Sequence, residues 1–169
     1  MIISKRCVHG ILAAVYIASQ PPGEYIQIGV IADKLKISFH FLTKVLQQLT
    51  QRGILLSYRG PHGGVMLAKP SSEVTLYELI DAIDGDQIFI TCMLGLNGCG
   101  HETPCPLHDA WSETRTKLKH LALKTTLQEL ASNTDFLKRQ IASSFMIGPA
   151  EIAAVDVVVP TDDVTFSKA

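Results

Sequence analysis

The chain has 169 residues, of which 47% are hydrophobic and 18% charged, and its formal net charge is −1. This composition supports a folded core, while no stretch approaches the ~20 apolar residues of a membrane-spanning helix. Four cysteines in a chain of this length exclude a disulfide-stapled secreted scaffold. We therefore expect a cytoplasmic protein of one or two small domains that does not bind membranes.

The first half of the chain carries the pattern of a small DNA-binding fold. Apolar residues recur at helical spacing in three stretches, and serines stand where the first and third helices need N-caps. Two β-rich runs follow, joined by a tight glycine-containing turn. This order predicts a winged helix-turn-helix, and hence a mainly α fold with a small β-hairpin wing. The predicted helices run from Ser4 to about Ser19, from 28 to 35 and, after Ser38, from 39 to 51, and the strands cover 54–59 and 64–69.

The second half predicts one long helix between shorter ones. Thr75 can cap a helix that ends near Ile83, the long helix is expected over 107–124, and short helices follow at 126–131 and 135–143. One stripe of the long helix advances in steps of 4, 3, 4, 3 and 4, which is the seam of a coiled coil; it consists of Leu107, Trp111, Thr114, Leu118, Leu121 and Thr125. Such a seam favours pairing with a second copy of the chain, and the alternative is a core face against the winged domain. The predicted dimer interface consists of Leu107, Trp111, Leu118 and Leu121.

Charge is distributed unevenly along this almost neutral chain. Between Lys34 and Ser72 there are six basic residues and no acidic one, whereas five acidic residues fall between Glu73 and Asp86. A wholly basic third within a neutral protein is typical of a surface for a polyanion such as DNA. The alternative is a solvated basic face.

Three of the four cysteines, Cys92, Cys99 and Cys105, fall within fourteen residues and are followed by His108. Thiolates are suitable ligands for iron–sulfur clusters, zinc and copper. The spacings match neither the paired cysteines of common zinc sites nor the tight run of bacterial ferredoxins. The residues alone predict a metal or cluster site, with one redox disulfide and a spare thiol as the alternative.

These features divide the chain into four parts. We expect a winged helix-turn-helix domain over 1–86 and a cysteine loop that binds a cluster over 87–106. A dimerisation helix and C-terminal helices follow over 107–145. The acidic segment 146–169 is expected to be a flexible tail, and the alternative for its valine-rich stretch 155–159 is an added strand at an exposed sheet edge.

Several motifs, in this order along the chain, are similar to the Rrf2 family of bacterial winged-helix regulators, which includes IscR, NsrR and RirA. The resemblance covers about residues 1–140 and implies a homodimeric transcription regulator rather than an enzyme. The motifs are ISFHFL at 37–42, where the family opens its recognition helix; RGPHGG at 59–64, which matches the family's R-G-x-x-G-G wing; IDAIDG at 80–85, before the cluster loop; and the three cysteines, followed by a long helix with Trp111 and by the T-L-x-E-L segment at 126–130.

The resemblance implies that the three cysteines hold an iron–sulfur cluster, either 2Fe–2S or 4Fe–4S, together with one other ligand. His108 stands three residues after the last cysteine, where IscR-like members have a ligating histidine, although the first cysteine spacing is one residue longer than theirs. NsrR-like members take an acidic ligand from the first helix of the partner subunit. This chain has no carboxylate there, so Cys7 and His9 are the alternatives, and His101 is a further candidate.

The DNA contacts are predicted from the position of the polar residues on the third helix and the wing. Helix-turn-helix proteins read base edges in the major groove from the N-terminal end of the recognition helix, which also suits phosphate. The negative potential of a narrow minor groove attracts arginine from a wing. A dimer implies a pseudo-palindromic operator in double-stranded DNA. The predicted contact residues are Ser38, His40, Thr43 and Lys44 on the helix and Arg59 and His62 on the wing.

Together these observations predict a homodimeric transcription regulator that senses iron–sulfur status, nitric oxide or redox state. One alternative is a zinc-stabilised DNA-binding or interaction module, which would use the same cysteines without iron. Another is an electron-transfer protein, which would leave the basic stretch 34–72 without a purpose. No Ser/His/Asp arrangement, glycine-rich nucleotide loop or paired carboxylate site supports an enzyme.

Overall fold

The computed structural model describes residues 2–60, 63–95 and 104–133. Within these ranges the protein is mainly helical with one two-stranded antiparallel sheet, which confirms the predicted fold class. A single 3-10 turn, Ser71–Glu73, leads from the sheet to the second half. The elements in chain order are α1 Lys5–Ala18, α2 Ile28–Leu35, α3 Phe39–Gln51, β1 Leu55–Tyr58, β2 Gly64–Leu67, α4 Leu76–Asp84, α5 Gln87–Ile90, α6 His108–Lys124 and α7 Leu127–Ser132.

The structure differs from the sequence predictions in a few places. Helix α5 lies inside the stretch predicted as loop, because four residues are too few to show helical periodicity. Ser38 occupies the N-cap position of α3, but its side chain makes no capping hydrogen bond. Both strands are shorter than predicted. The predicted helix over 135–143 and the tail over 146–169 lie outside the described residues.

The core forms where α3 packs against α1 and α4. Four residues of the apolar stripe that helical spacing predicts on α3 are buried, but Phe39, which the spacing also places there, is 49% exposed. Gly10 allows α1 to approach closely, because a Cβ at this position would collide with the side chains of Ile83 and Val45. The buried stripe of α3 leaves its opposite face exposed for contacts with a partner. The buried part of the stripe consists of Leu42, Val45, Leu46 and Leu49.

The hairpin is attached to the helical body at its base. Strands β1 and β2 pair in register from Leu55 opposite Leu67 to Tyr58 opposite Gly64. Val65 also exchanges two backbone hydrogen bonds of 2.9 Å with Ile26, which precedes α2. The hairpin therefore projects from a fixed base beside α3, as a wing requires.

Two capping boxes join the second half of the chain to the body. Thr75 and Glu78 cap α4, and Thr126 and Glu129 cap α7 in the same way. The two threonines lie side by side in an isolated β-bridge, and Leu127 is completely buried next to it. Helix α7 packs on α1, so the end of α6 is held against the winged-helix body.

A polar network fixes the start of α1 to the end of α4. The Ser4 backbone N–H and hydroxyl donate to the Asp84 carboxylate at 2.7 and 2.6 Å. Arg6 lies 3.7 Å from the same carboxylate. Both contacts position the end of α4, and with it the entry to the cysteine-containing stretch. No helix in the described ranges has the length and apolar character required to cross a bilayer.

Candidate nucleic-acid interface and cysteine site

A groove of about 780 Å³ separates α3 from the hairpin. Polar residues of the exposed α3 face form one wall, and the end of β1 forms the other. The start of α2 closes the base. The groove is open, and its polar walls suit a hydrated partner rather than an apolar ligand. Its walls include Phe39, Thr43, Gln47 and Gln51 on α3, and Ser57, Tyr58 and Arg59 on the hairpin.

The predicted DNA contacts do not all occupy this groove. Thr43 and Arg59 line it from opposite walls, and the Thr43 hydroxyl donates to the Phe39 carbonyl at 2.8 Å. Ser38, His40 and Lys44 are exposed near the N-terminus of α3 but outside the groove lining. His62 lies outside the described residues, so its predicted role stays a prediction.

Sequence reasoning missed the glutamines and the tyrosine of the groove. Gln47 lies one helical turn after Thr43 and is exposed on the same face, which was the available signal. Tyr58 is exposed on the wing, and its ring lies 5.7 Å from that of Tyr25. This ring pair could not be inferred from spacing, because the two residues are far apart in sequence.

The positive surface is smaller than the count of basic residues suggests. Lys69 lies 2.7 Å from Glu78, and Arg52 lies 3.7 Å from Asp81, so two of the six basic side chains pair with α4. Burial opposes ionisation of Glu78, but hydrogen bonds from Lys69 and from the capped backbone outweigh it and lower its pKa. These pairs position α4 on the body and partly neutralise two of the six positive charges.

Cys92, Cys105 and His108 line one cavity of about 40 Å³ at the start of α6. Cys92 follows the C-cap residue of α5, and His108 is the first residue of α6. Cys99 lies outside the described residues. Within those that are described, no three His, Cys, Asp or Glu side chains converge closely enough to hold a metal ion. The fold thus brings three of the four predicted ligands to one cavity but not into a complete site.

The donor set and its surroundings fit a cluster. Thiolate sulfur and imidazole nitrogen are ligands for iron–sulfur centres. No disulfide bond joins the described cysteines to one another. The N-terminus of the 17-residue helix α6 lies beside the cavity, where its dipole favours negative charge such as that of thiolate ligands.

Cys7 and His9 lie away from this cavity. Cys7 is completely buried in α1, and burial, with a smaller effect of Asp84, raises its pKa to about 12. A thiol in that state is a poor metal ligand, since the thiolate is the binding form. The His9 ring packs edge-on against Phe41 at 5.5 Å, and burial lowers its pKa. Neither side chain lines the cavity of Cys92, Cys105 and His108.

The predicted dimer residues share one stripe of α6 but differ in what they contact. Trp111 donates its indole N–H to the Thr91 carbonyl at 2.9 Å, and Leu118 packs against the core of the same chain. Leu107 and Leu121 are 47% and 61% exposed. The residues at heptad spacing therefore include two that contact their own chain, Trp111 and Leu118, and two that form an exposed apolar edge, Leu107 and Leu121.

Residues 3–133 match the Rrf2 family, described as an iron-dependent transcriptional regulator. The chain belongs to the Rrf2 family. It is therefore a DNA-binding transcriptional regulator and not an enzyme, as the sequence motifs predict.

Individual relatives of this Rrf2-family chain agree. It is 29% identical to a putative HTH-type transcriptional regulator of Aquifex aeolicus over 77% of this chain and 91% of that protein. It is 31% identical to the HTH-type transcriptional regulator IscR of Serratia proteamaculans over 63% of this chain and 65% of that protein. Among solved structures, CymR, the global cysteine regulator of B. subtilis, matches with a TM-score of 0.65 and 24% identity, over 77% of this chain and 95% of that one. This structural similarity confirms the winged-helix fold.

Proposed function

We propose that this Rrf2-family chain is a homodimeric regulator whose operator affinity depends on an iron–sulfur cluster. Cys92, Cys99, Cys105 and His108 would hold the cluster. When bound, it would supply a redox-active, chemically labile centre that responds to iron–sulfur status, nitric oxide or redox state. The observation that carries the proposal is the single cavity lined by Cys92, Cys105 and His108.

The position of the cavity supports a role in signalling. It lies where α5 ends and α6 begins, and α6 in turn runs to the junction with α4 and α7. A change in the cysteine stretch would therefore act on the start of α6. If α6 pairs with its copy, that change would alter the distance between two recognition helices and the fit to two operator half-sites.

The groove between α3 and the wing supports DNA as the partner. Arg59 and the α3 polar face meet there, and Lys44 is exposed beside it. We infer that Arg59 and Lys44 contact phosphate or a groove edge, while Thr43, Ser38 and His40 approach bases. We expect several phosphate contacts per subunit, so operator binding should weaken steeply as the salt concentration rises.

The cluster is tested by anaerobic purification of wild-type protein and of Cys92→Ala, Cys105→Ala and Cys7→Ala variants. We expect wild type and Cys7→Ala to contain iron and sulfide and to absorb visible light. The two cavity variants should lose both and should bind a duplex operator, selected from a random library, with altered affinity. Cys7→Ala is the matched control, because it removes a cysteine that lies outside the cavity.

Two results would overturn this part of the proposal. A colourless wild-type protein with one bound zinc would indicate the zinc-stabilised module. A sensing role would be excluded if the cavity variants bound the operator with the same affinity as wild-type protein, whether that wild-type protein was iron-loaded or iron-free.

The dimer is tested with two leucines on opposite sides of α6. Leu121→Lys places a charge on the exposed apolar edge that includes Leu107, whereas Leu123→Lys places the same charge on the other side of the helix. Both leucines are exposed in the single chain. Sedimentation velocity should show a dimer for wild type and Leu123→Lys and a monomer for Leu121→Lys. Equal behaviour of the two variants would exclude α6 pairing through this edge.

A further inference from the structure

Two side chains of α6 hold the backbone that leads to Cys92. Helix α5 ends at Ile90, and the last carbonyls of a helix have no partner within the helix. The Trp111 indole N–H donates to the Thr91 carbonyl at 2.9 Å, and the Arg115 Nη1 donates to the Ile90 carbonyl. Trp111 and Arg115 are one helical turn apart, so they contact consecutive carbonyls directly before Cys92.

Arg115 also faces the cysteine cavity. It is among the residues that line the cavity together with Cys92 and Cys105, and it is the one permanently charged side chain among those described there. Its Nε atom is buried and has no hydrogen-bond partner among the described residues. A buried donor without a partner is unfavourable, so an unpaired Nε–H on a residue that lines the cavity points to an acceptor at that site.

We propose that Arg115 is the positioning residue of the cysteine site and the source of its positive charge. Its Nη1 braces the Ile90 carbonyl, two residues before Cys92, and its Nε–H donates to a sulfur atom of the site. Net charge and hydrogen bonds to sulfur are among the factors that set the reduction potential of a cluster. Because reduction adds negative charge, the guanidinium stabilises the reduced form and raises the midpoint potential.

This inference rests in part on the proposed function, since the second role needs a cluster, whereas the brace can be measured without one. The variants are Arg115→Met, Arg115→Lys and the control Lys117→Met. Lys117→Met is a matched control because it removes the same charge from the same helix. The Lys117 side chain is 74% exposed and pairs with Glu113, away from the cysteine cavity.

The brace is measured on full-length protein without metal by hydrogen exchange of the amides in 87–95. We expect faster exchange in Arg115→Met and Arg115→Lys, because neither keeps the two-armed guanidinium, and wild-type exchange in Lys117→Met. Exchange in Arg115→Met that equals that of Lys117→Met would overturn the brace.

The charge is measured on cluster-loaded protein by a spectroscopic redox titration. Arg115→Met should shift the reduction equilibrium about tenfold toward the oxidised form, which is 59 mV for one electron. Arg115→Lys should restore most of this shift, and Lys117→Met should show none. An unchanged potential in Arg115→Met, or an equal shift in Lys117→Met, would overturn the electrostatic role. A wild-type chain that takes up no cluster would refute the proposed function, and the exchange measurement alone would then decide whether the brace exists.

Discussion

The winged-helix body, residues 5–84, and the cysteine segment, residues 87–107, use their apolar side chains differently. In the body, the α3 stripe is enclosed by helices, and Leu46 is only 1% exposed. In the described part of the cysteine segment, Leu94 is 57% exposed, and Met93 and Leu107 are also largely exposed. The body is thus held together by its own core. The described part of the segment is attached to that core by Phe89, which is 5% exposed, and beyond Phe89 by side-chain hydrogen bonds from α6.

This difference assigns different physical tasks to the two regions. A close-packed body keeps α3 and the wing in a constant relation to each other, which reading DNA requires. Residues 90–95 have no buried side chain, and such a stretch can open at low cost in free energy. The same segment contains Cys92, and its exposed apolar residues lie beside the exposed edge of α6. A change at the cysteines can therefore alter the segment without unfolding the body.

The largest expected effect is a difference in the free energy of unfolding between a leucine substitution in the body and one in the cysteine segment. Leu46→Ala should lower the free energy of unfolding of the metal-free protein by about 2–5 kcal/mol, because it leaves a cavity in the core. Leu94→Ala removes the same atoms from the cysteine segment and should change stability by at most about 0.5 kcal/mol. Urea unfolding followed by circular dichroism measures both. A similar loss in the two variants would break the comparison, since Leu94 would then have to be buried in the functional assembly.

An intermediate loss of stability is expected from a substitution at Gly64, at the base of the wing. A Cβ at Gly64 would lie 2.9 Å from the Gln27 nitrogen and inside van der Waals contact with the Ile26 carbonyl. Gly64→Ala should therefore separate the wing from its base and lower stability by about 1–3 kcal/mol. Thermal unfolding measures the loss, and operator affinity should fall with it.

Gly29→Ala is the control for this substitution, because no atom lies within 4 Å of the Cβ that it would add. Its stability should equal that of wild type or exceed it slightly, since alanine favours helix over glycine. Equal stability of Gly64→Ala and Gly29→Ala would show that the wing base tolerates displacement.

The smallest expected effect is that of Glu78, which caps α4 and pairs with Lys69. The folded-state pKa of Glu78 is below its ordinary value of 4.5, so its ionised form stabilises the protein above about pH 4.5. This contribution is lost as the pH falls through the folded-state pKa. Glu78→Gln should cost about 0.5–1 kcal/mol at neutral pH, allowing for solvent screening of a partly exposed pair, and the difference from wild type should vanish in acid.

Urea titrations from pH 7 to acid measure this difference. Glu113→Gln is the control, because the pair that Glu113 forms with Lys117 is exposed on α6 and should contribute little at any pH. A difference between Glu78→Gln and wild type that persists unchanged in acid would contradict the role of the ionised carboxylate.

The elements of the body could be predicted from the sequence because their signals are local. The bounds of α2 and α3 coincide with the prediction, and Thr75 caps α4 as expected. Helix α5 could not be predicted, because its end is completed by side chains of α6 that lie about twenty residues further along the chain. The roles of Gln47 and Tyr58 in the groove also depend on where the hairpin folds back.

The sequence by itself determined the fold class, the family and the residue types at the cysteine site, because periodicity, caps and spaced motifs are properties of the chain. The tertiary structure decided which face of each helix meets which partner. The heptad seam of α6 shows this best: Trp111 turns to its own chain, while Leu121 remains exposed. Helical spacing specifies which residues share a face, but only packing specifies what that face contacts. For the same reason, Arg115 was an ordinary helix residue in the sequence and lines the cysteine cavity in the folded protein.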